Sequence, residues 1–597
     1  MALAFAGIAA RLVDLQAVGA RRYARLGLDQ RVATLQLAAE RGSIFDRNGA
    51  DLAVSVPEQT VMADPRVVRD PDADAAKLAP VLGVDAATLR ARLAQRDRAF
   101  VYLARTVDDA TVRRVKALGL PEVGFLPESK RYYPAGGLAG PVIGFVGTDD
   151  NGLGGLESAS DRALTGRAGR VVLERDPRGR EIPSGQRSLR PAERGRDLVL
   201  TVDQSLQYEV EQALTDEVTS QSAKGGTAIV VDVNNGDVLA MASVDGGDGG
   251  NPAHPAAPTE RNRPLTDVYE PGSTNKVLTV ASALEAGLVS PTTVFSVPDT
   301  IEISGHAFDD HDPHPVSSWT VADILRQSSN VGAILIGRQV GKDRLDATLR
   351  AFGLGRRTAV GFPGEAAGLL LSPSQYSATS MATVPIGNGL AVTAMQMLDV
   401  FVTLANGGVS RAPRLVDATV DAHGVRRSEP LGRPVRVVSE ATAAAMISMM
   451  TEVVKGGTGT EASIPGYSVA GKTGTARKPP YDTPPYKYVA SFAGFVPAES
   501  PRLAAIVVLD EPGGEIFGGR VAAPVFARIM QYALRLERIP PTLPAGGALS
   551  AGGALPPAGQ GATPPTTTAS APSAPRPASG GTAKPPGSLK TTASPSG

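Results

Sequence analysis

Three short groupings of polar residues carry side chains that could do covalent chemistry. They are Ser273 and Lys276 in "EPGSTNK", Ser328, Ser329 and Asn330 in "ILRQSSNVGA", and Lys472, Thr473, Gly474 and Thr475 in "VAGKTGTA". The first poses the sharpest question. Pro-Gly-Ser ahead of the apolar run "VLTVASALEAG" is ordinary helix-start grammar, with Ser273 as the cap. Lys276, three residues on, shares a face with Ser273 within hydrogen-bonding reach, and Val277, Val280 and Leu284 form an apolar stripe that places the helix in a core. A lysine in that first turn serves no capping purpose, because the N-terminal end of a helix dipole favours anions. Burial lowers an amine's pKa, and a neutral Lys276 could accept the proton of Ser273. The chemistry on offer is nucleophilic attack by an activated serine.

The other two groupings admit plain readings as well. Ser328 and Asn330 face one site together in a loop or extended geometry, but not in a continuous helix. Alternatively, they mark a helix junction with Asn330 as a cap. Lys472 and Thr473 on a strand can meet a carboxylate, and the glycines allow a ligand backbone to approach closely. The alternative is a strand with solvent-facing polar residues.

The elements that must position these residues read as α+β. "GTAIVVDVNNGDVLAMASV" is a hairpin around Asn235-Gly236, and "YSVAGKTGTA", "YVASFAGFVPAE" and "PRLAAIVVLDEP" are three later strands. Helical stretches lie between them. The expected domain, residues 196–540, is therefore an antiparallel sheet flanked by helices, with strands drawn from both ends of the segment. Residues 27–195 read as a mixed α/β section. It contains a hairpin at Asn48-Gly49 and short helices in "DADAAKLAPVLG" and "DAATLRARLAQR", and it ends in the charged, Pro- and Gly-containing stretch before 196. Residues 541–597 hold almost no large apolar side chain and are expected to be disordered. Residues 1–26 open on "MALAFAGIAA", too short to span a bilayer and lacking the basic start of a signal peptide; they read as the stub of a membrane anchor.

Bulk composition narrows the function. The 597 residues carry 60 basic and 60 acidic side chains, so no general basic surplus points to nucleic acid, and there are no cysteines for disulfides, thiolate metal sites or thiol nucleophiles. His306, His311 and His314 crowd with Asp309, Asp310 and Asp312 in "GHAFDDHDPHP", but Pro313 and Pro315 argue for a loop at the edge of a cleft and not a metal centre. "DDNG" at 149–152 fails as a calcium loop, with Leu153 at a ligand position.

Taken in order, "STNK", "SSN" and "KTG" resemble the active site of penicillin-recognising serine acyltransferases. "RGSIFDRNGADLA", "RYYP" and "GFVGTDDNGLGGLES" look like the N-terminal pedestal, or dimerisation domain, of class B penicillin-binding proteins; "YEPGSTNKV" and "PIGNGLAVTAMQM" look like their transpeptidase domain. The division-type, septal D,D-transpeptidases are the most similar group, with the elongation type as the near alternative and a β-lactamase or penicillin sensor further off. Ser329 departs from the Asp that relatives often carry. The resemblance implies Ser273 as nucleophile, Lys276 as base, Ser328 as proton relay, Asn330 on the donor amide and Lys472 polarising Ser328. Thr473 would engage the terminal carboxylate beside Gly474, and Thr475 with Ser273 would supply the oxyanion hole. It implies no metal and no cofactor. Peptidoglycan stem peptides and β-lactams are the implied ligands. A polytopic lipid II glycosyltransferase and division proteins are the implied partners, and the implied location is the cell membrane, with a single-pass anchor and the bulk outside the cytoplasm.

Overall fold

In the computed structural model the described residues are 1–14, 16, 32–174, 182, 187–247, 257–258 and 261–543. The frame is a six-stranded sheet. Its strands are β1 (Gly225–Asp232), β2 (Val238–Asp245), β3 (Ala257–Pro258), β4 (Ala470–Arg477), β5 (Tyr488–Val496) and β6 (Leu503–Asp510), in the order β3-β2-β1-β6-β5-β4. Every pairing is antiparallel, and Ile229 on β1 lies opposite Ile506 on β6. Strands from the two ends of the segment thus meet at the centre of the sheet, as the sequence pattern predicts.

Alternation along β1 sorts its side chains onto two cores. Ala228 and Val230 pack with Leu206, Val210 and Leu214 of α1 (Gln204–Ser220) and with Phe526 and Ile529 of the C-terminal helix Ala523–Leu536. Ile229 and Val231 face the other way, toward α2 (Lys276–Glu285), α3 (Val321–Gln327), α4 (Asn330–Val340), α5 (Ala394–Ala405) and α6 (Glu440–Gly456). Both faces are covered, so β1 and β6 read as nearly unbroken apolar runs.

The N-terminal part is joined to this body through a shared sheet. Ile44–Phe45 turns at Asn48-Gly49 into Asp51–Ala63, with Gly49 at φ +89° and Asp46 Oδ1 accepting from the Asn48 and Ala50 amides. Ile44–Phe45 also runs parallel to Asp197–Leu200, which pairs in turn with Val416–Val420. The change of composition before residue 196 therefore falls beside a continuous sheet. The two expected helices are Pro71–Leu82, capped by Asp70 just upstream of the predicted segment, and Ala86–Leu93, capped by Asp85.

Beneath this sheet Glu157 is fully buried between two arginines: Oε2 takes Arg41 Nε and Oε1 takes Arg131 Nε, each at 2.7 Å. Arg41 also reaches Asp161 at 2.7 Å, and Arg131 Nη1 donates to Gly42 O at 2.8 Å. At the start of the chain, Ala2–Val13 is a helix with Phe5 and Ile8 exposed; among the described residues no helix is long and apolar enough to cross a membrane. The remainder of the expected juxtamembrane segment, 17–26, lies outside the described residues, as do 544–597 of the expected disordered tail. Residues 542 and 543 are still fastened, both amides donating to Gly466 O.

Removing one partner of a buried ion pair strands the others. Glu157→Gln is expected to cost about 3 kcal/mol, read as a lower urea midpoint against wild type.

Candidate active site

Gly272–Asn275 forms one 3-10 turn that runs into α2. Its cap position is Pro271, and no side chain caps it, so Ser273 is not spent as a helix cap. Ser273 is half-buried, and its hydroxyl hydrogen-bonds to none of the described residues. Two features hold the turn in this shape. Gly272 sits at φ +55° and donates to Gly387 O at 3.1 Å, while Gly387, at φ +85°, has room for no side chain: a Cβ there would lie 2.1 Å from Gly272 O. The Gly387 loop is tied down through Glu270, which accepts from Asn388 Nδ2 and Gly389 N, both at 2.8 Å.

Lys276 is 1% exposed. The expected Ser273–Lys276 hydrogen bond is absent. The amine reaches across to the second grouping, donating to Asn330 Oδ1 at 2.7 Å and to Ser328 O at 2.5 Å, with Ser328 Oγ at 3.4 Å. A carbonyl and an amide oxygen out-compete a hydroxyl for a desolvated amine. A neutral amine has two N–H bonds and one lone pair; those two acceptors use the N–H bonds and leave the lone pair free.

The second grouping is a helix junction and a convergent site at once. Ser328 ends α3 in the left-handed region, at φ +61°. Ser329, not Asn330, caps α4, accepting from Gly332 N at 2.8 Å. This break, two residues long, turns Ser328 and Asn330 toward Lys276. Asn330 Nδ2 donates to Asp309 O at 2.8 Å, which leaves Oδ1 as the atom facing the lysine.

The third grouping lies on β4, the edge strand. Lys472 is fully buried and donates to Ser328 Oγ at 2.8 Å. Thr473 Oγ1 meets Thr458 Oγ1 at 2.7 Å, and Thr475 Oγ1 accepts from Gly518 N at 3.2 Å. A Cβ at Gly474 would lie 2.4 Å from Ser491 Oγ and 3.0 Å from Thr274 Cγ2. Gly474 lets the serine turn pack against β4.

Burial pushes the Lys276 amine down to about 7, with Asp310 pulling the other way, and pushes Lys472 well below its usual value, helped by Lys276. Beside the serine turn opens a cavity of about 620 Å³ lined by Tyr269, Glu270, Gly389, Ala476, Arg477 and Tyr481. Arg477 stacks on Tyr486, and its Nε and Nη2 have no hydrogen-bond partner among the described residues.

Sequence reasoning missed Asp310, Glu270, Gly387 and Thr458. Asp310 was visible only as one member of the His/Asp cluster. That cluster gathers no metal set: among the described residues no three His, Cys, Asp or Glu are placed to hold an ion.

Comparison with known proteins identifies two domains. The penicillin-binding protein transpeptidase domain matches residues 226–531, and the penicillin-binding protein dimerisation domain matches residues 36–200. The chain belongs to the class B penicillin-binding protein family. It is 36% identical over 543 residues to the penicillin-binding protein PbpB of Mycobacterium tuberculosis, covering 85% of this chain and 80% of that one. It is 35% identical over 549 residues to the peptidoglycan D,D-transpeptidase FtsI of Escherichia coli K12, covering 90% and 91%. Among solved structures, penicillin-binding protein 3 of M. tuberculosis complexed with aztreonam superposes with a TM-score of 0.66 at 31% identity, over 86% of this chain and 99% of that one.

Two outcomes follow from the site. A base must be neutral to accept a proton, and Lys276 is protonated below about pH 7, so the second-order rate of acylation by a penicillin should rise through about pH 7 and level off above it. Gly387→Ala should displace the serine turn and lower that rate at least about a hundredfold, measured by single-turnover labelling.

Proposed function

We propose that this protein is a peptidoglycan D,D-transpeptidase of septal wall synthesis. The observation that carries the reading is the shared hydroxyl of Ser328, in reach of both Lys276 and Lys472, with Lys276 one turn of chain from the unspent Ser273. Ser273 Oγ attacks the carbonyl joining the two terminal D-alanines of a stem peptide, and its proton passes to Lys276. Ser328, polarised by Lys472, relays a proton to the departing D-alanine amine as the C–N bond breaks, and is reprotonated by Lys276, which thereby returns to the neutral amine. Asn330 orients the donor amide. Thr473, with Gly474 beside it, holds the terminal carboxylate. The Ser273 and Thr475 amides receive the developing oxyanion, for which one such donor contributes about 3 kcal/mol. An amine from a second stem peptide then displaces Ser273, forming the crosslink. A β-lactam enters the same path and stops at the ester.

The names of the relatives, D,D-transpeptidase among them, support this substrate class, and the aztreonam complex of a relative supports β-lactam capture. We take residues 27–195 as the pedestal, 196–540 as the transpeptidase domain and 541–597 as a tail. The apolar opening helix with exposed Phe5 and Ile8 supports a membrane anchor that leaves the bulk outside the cytoplasm, where a polytopic lipid II glycosyltransferase and division proteins would meet it.

The decisive measurement is labelling with a fluorescent penicillin. Wild type should form a persistent covalent adduct, and Ser273→Ala should lose at least about a thousandfold in labelling rate. Undiminished labelling of the variant, or rapid release of hydrolysed penicillin by wild type, would overturn the reading.

A further inference from the structure

Asp310 lies outside all three groupings, yet it touches the second one from every side. Its side chain is 5% exposed. Oδ1 accepts from the backbone amides of Asn330 and Val331, the latter at 3.0 Å. Oδ2 accepts from Ser329 Oγ at 2.6 Å and faces His314 Nε2 at 3.1 Å. The neighbouring Asp309 O holds Asn330 Nδ2. One short loop therefore fixes the first turn of α4, the rotamer of its cap and the orientation of the Asn330 amide.

His314 reinforces the carboxylate. Its Nδ1 lies 2.8 Å from Pro315 O and its Nε2 lies against Asp310, so both ring nitrogens face acceptors and both must donate. That geometry calls for the imidazolium, which Asp310 and Asp299 favour against the cost of burial, and the ring rests on Trp319 at 4.3 Å. The carboxylate that acts on Lys276 is Asp310, and Lys276 in turn acts on Lys472.

We infer that Asp310, paired with His314, is a positioning residue for acylation: through Ser329 and the first amides of α4 it locks Ser328 and Asn330 into the arrangement that receives Lys276. The inference rests on the acyl-transfer reading of the site. A carboxylate near an amine stabilises the ammonium, so loss of the charge moves Lys276 to a lower pKa. Asp310→Asn suits the test because it is isosteric: Oδ1 still accepts the two backbone amides, while Nδ2 donates to Ser329 Oγ and to a neutral His314.

The experiment measures the second-order rate of acylation by a fluorescent penicillin from pH 5 to 9, with thermal unfolding alongside, for wild type, Ser273→Ala, Asp310→Asn and Asp310→Ala. In Asp310→Asn, assayed at a temperature where it remains folded, the rising limb should move to lower pH by about half a unit or more. In Asp310→Ala the plateau should fall at least about tenfold. A folded Asp310→Asn whose pH profile coincides with wild type would overturn the inference, as would a folded Asp310→Ala with a wild-type plateau. Failure of the acyl-transfer reading looks different: wild type itself would not label, or Ser273→Ala would label as wild type does.

Discussion

Two lysine amines, Lys276 and Lys472, are buried within reach of a single hydroxyl, Ser328 Oγ, and two ammonium ions cannot both keep their charge there. Desolvation is the larger cost of protonating either amine, and Lys276 adds to it at Lys472. The outcome at Lys276 is an amine that can hold and pass a proton near neutral pH, which an exposed lysine with its usual pKa cannot do. Most of what is specific about the surrounding structure serves to keep these groups dry and close. The three groupings come from a turn, a helix junction and an edge strand, and no one of these elements could bury a lysine alone.

The sheet and helices supply that enclosure by ordinary means. Alternation on β1 feeds two apolar cores, so the sheet is covered on both faces and β4 stands rigidly at one edge. Close backbone approach then replaces side-chain packing where the serine turn meets its neighbours. Gly387 admits Gly272 on one side, and Gly474 admits Thr274 on the other. Glycine at these positions costs conformational entropy, and the return is a turn held by backbone contacts that do not use the Ser273 hydroxyl.

Much of this was legible in the sequence, for identifiable reasons. The Asn48-Gly49 and Asn235-Gly236 hairpins and the strands on either side of the long helical segment are signalled by local turn chemistry and period-two patterning. The strange placement of Lys276 in an apolar helix start was likewise readable, because it violates a local electrostatic preference. Partners distant in the chain were not. The expected Ser273–Lys276 hydrogen bond came from treating the turn as an isolated helix, whereas the amine follows stronger acceptors more than 50 residues away. Nothing in "KTG" shows that Thr274 will pack where a Gly474 side chain would stand.

The His/Asp loop illustrates the same limit from the other side. Imidazoles and carboxylates in one segment look like ligands for a cation, and the cation they meet is in part internal: the His314 ring, with Lys276 beyond it. Acceptors without a metal need donors, and the first turn of α4 offers two free amides, the capping hydroxyl and a positive dipole end. A carboxylate placed there is neutralised on both sides, by the helix and by the imidazolium, which is why burying Asp310 is tolerable. The same placement puts a negative charge near a lysine that burial would otherwise strip of its proton at still lower pH. Structural capping and tuning of the base are therefore one arrangement, and a chain that kept the three short groupings but lost this loop would keep its nucleophile and change the pH at which it works.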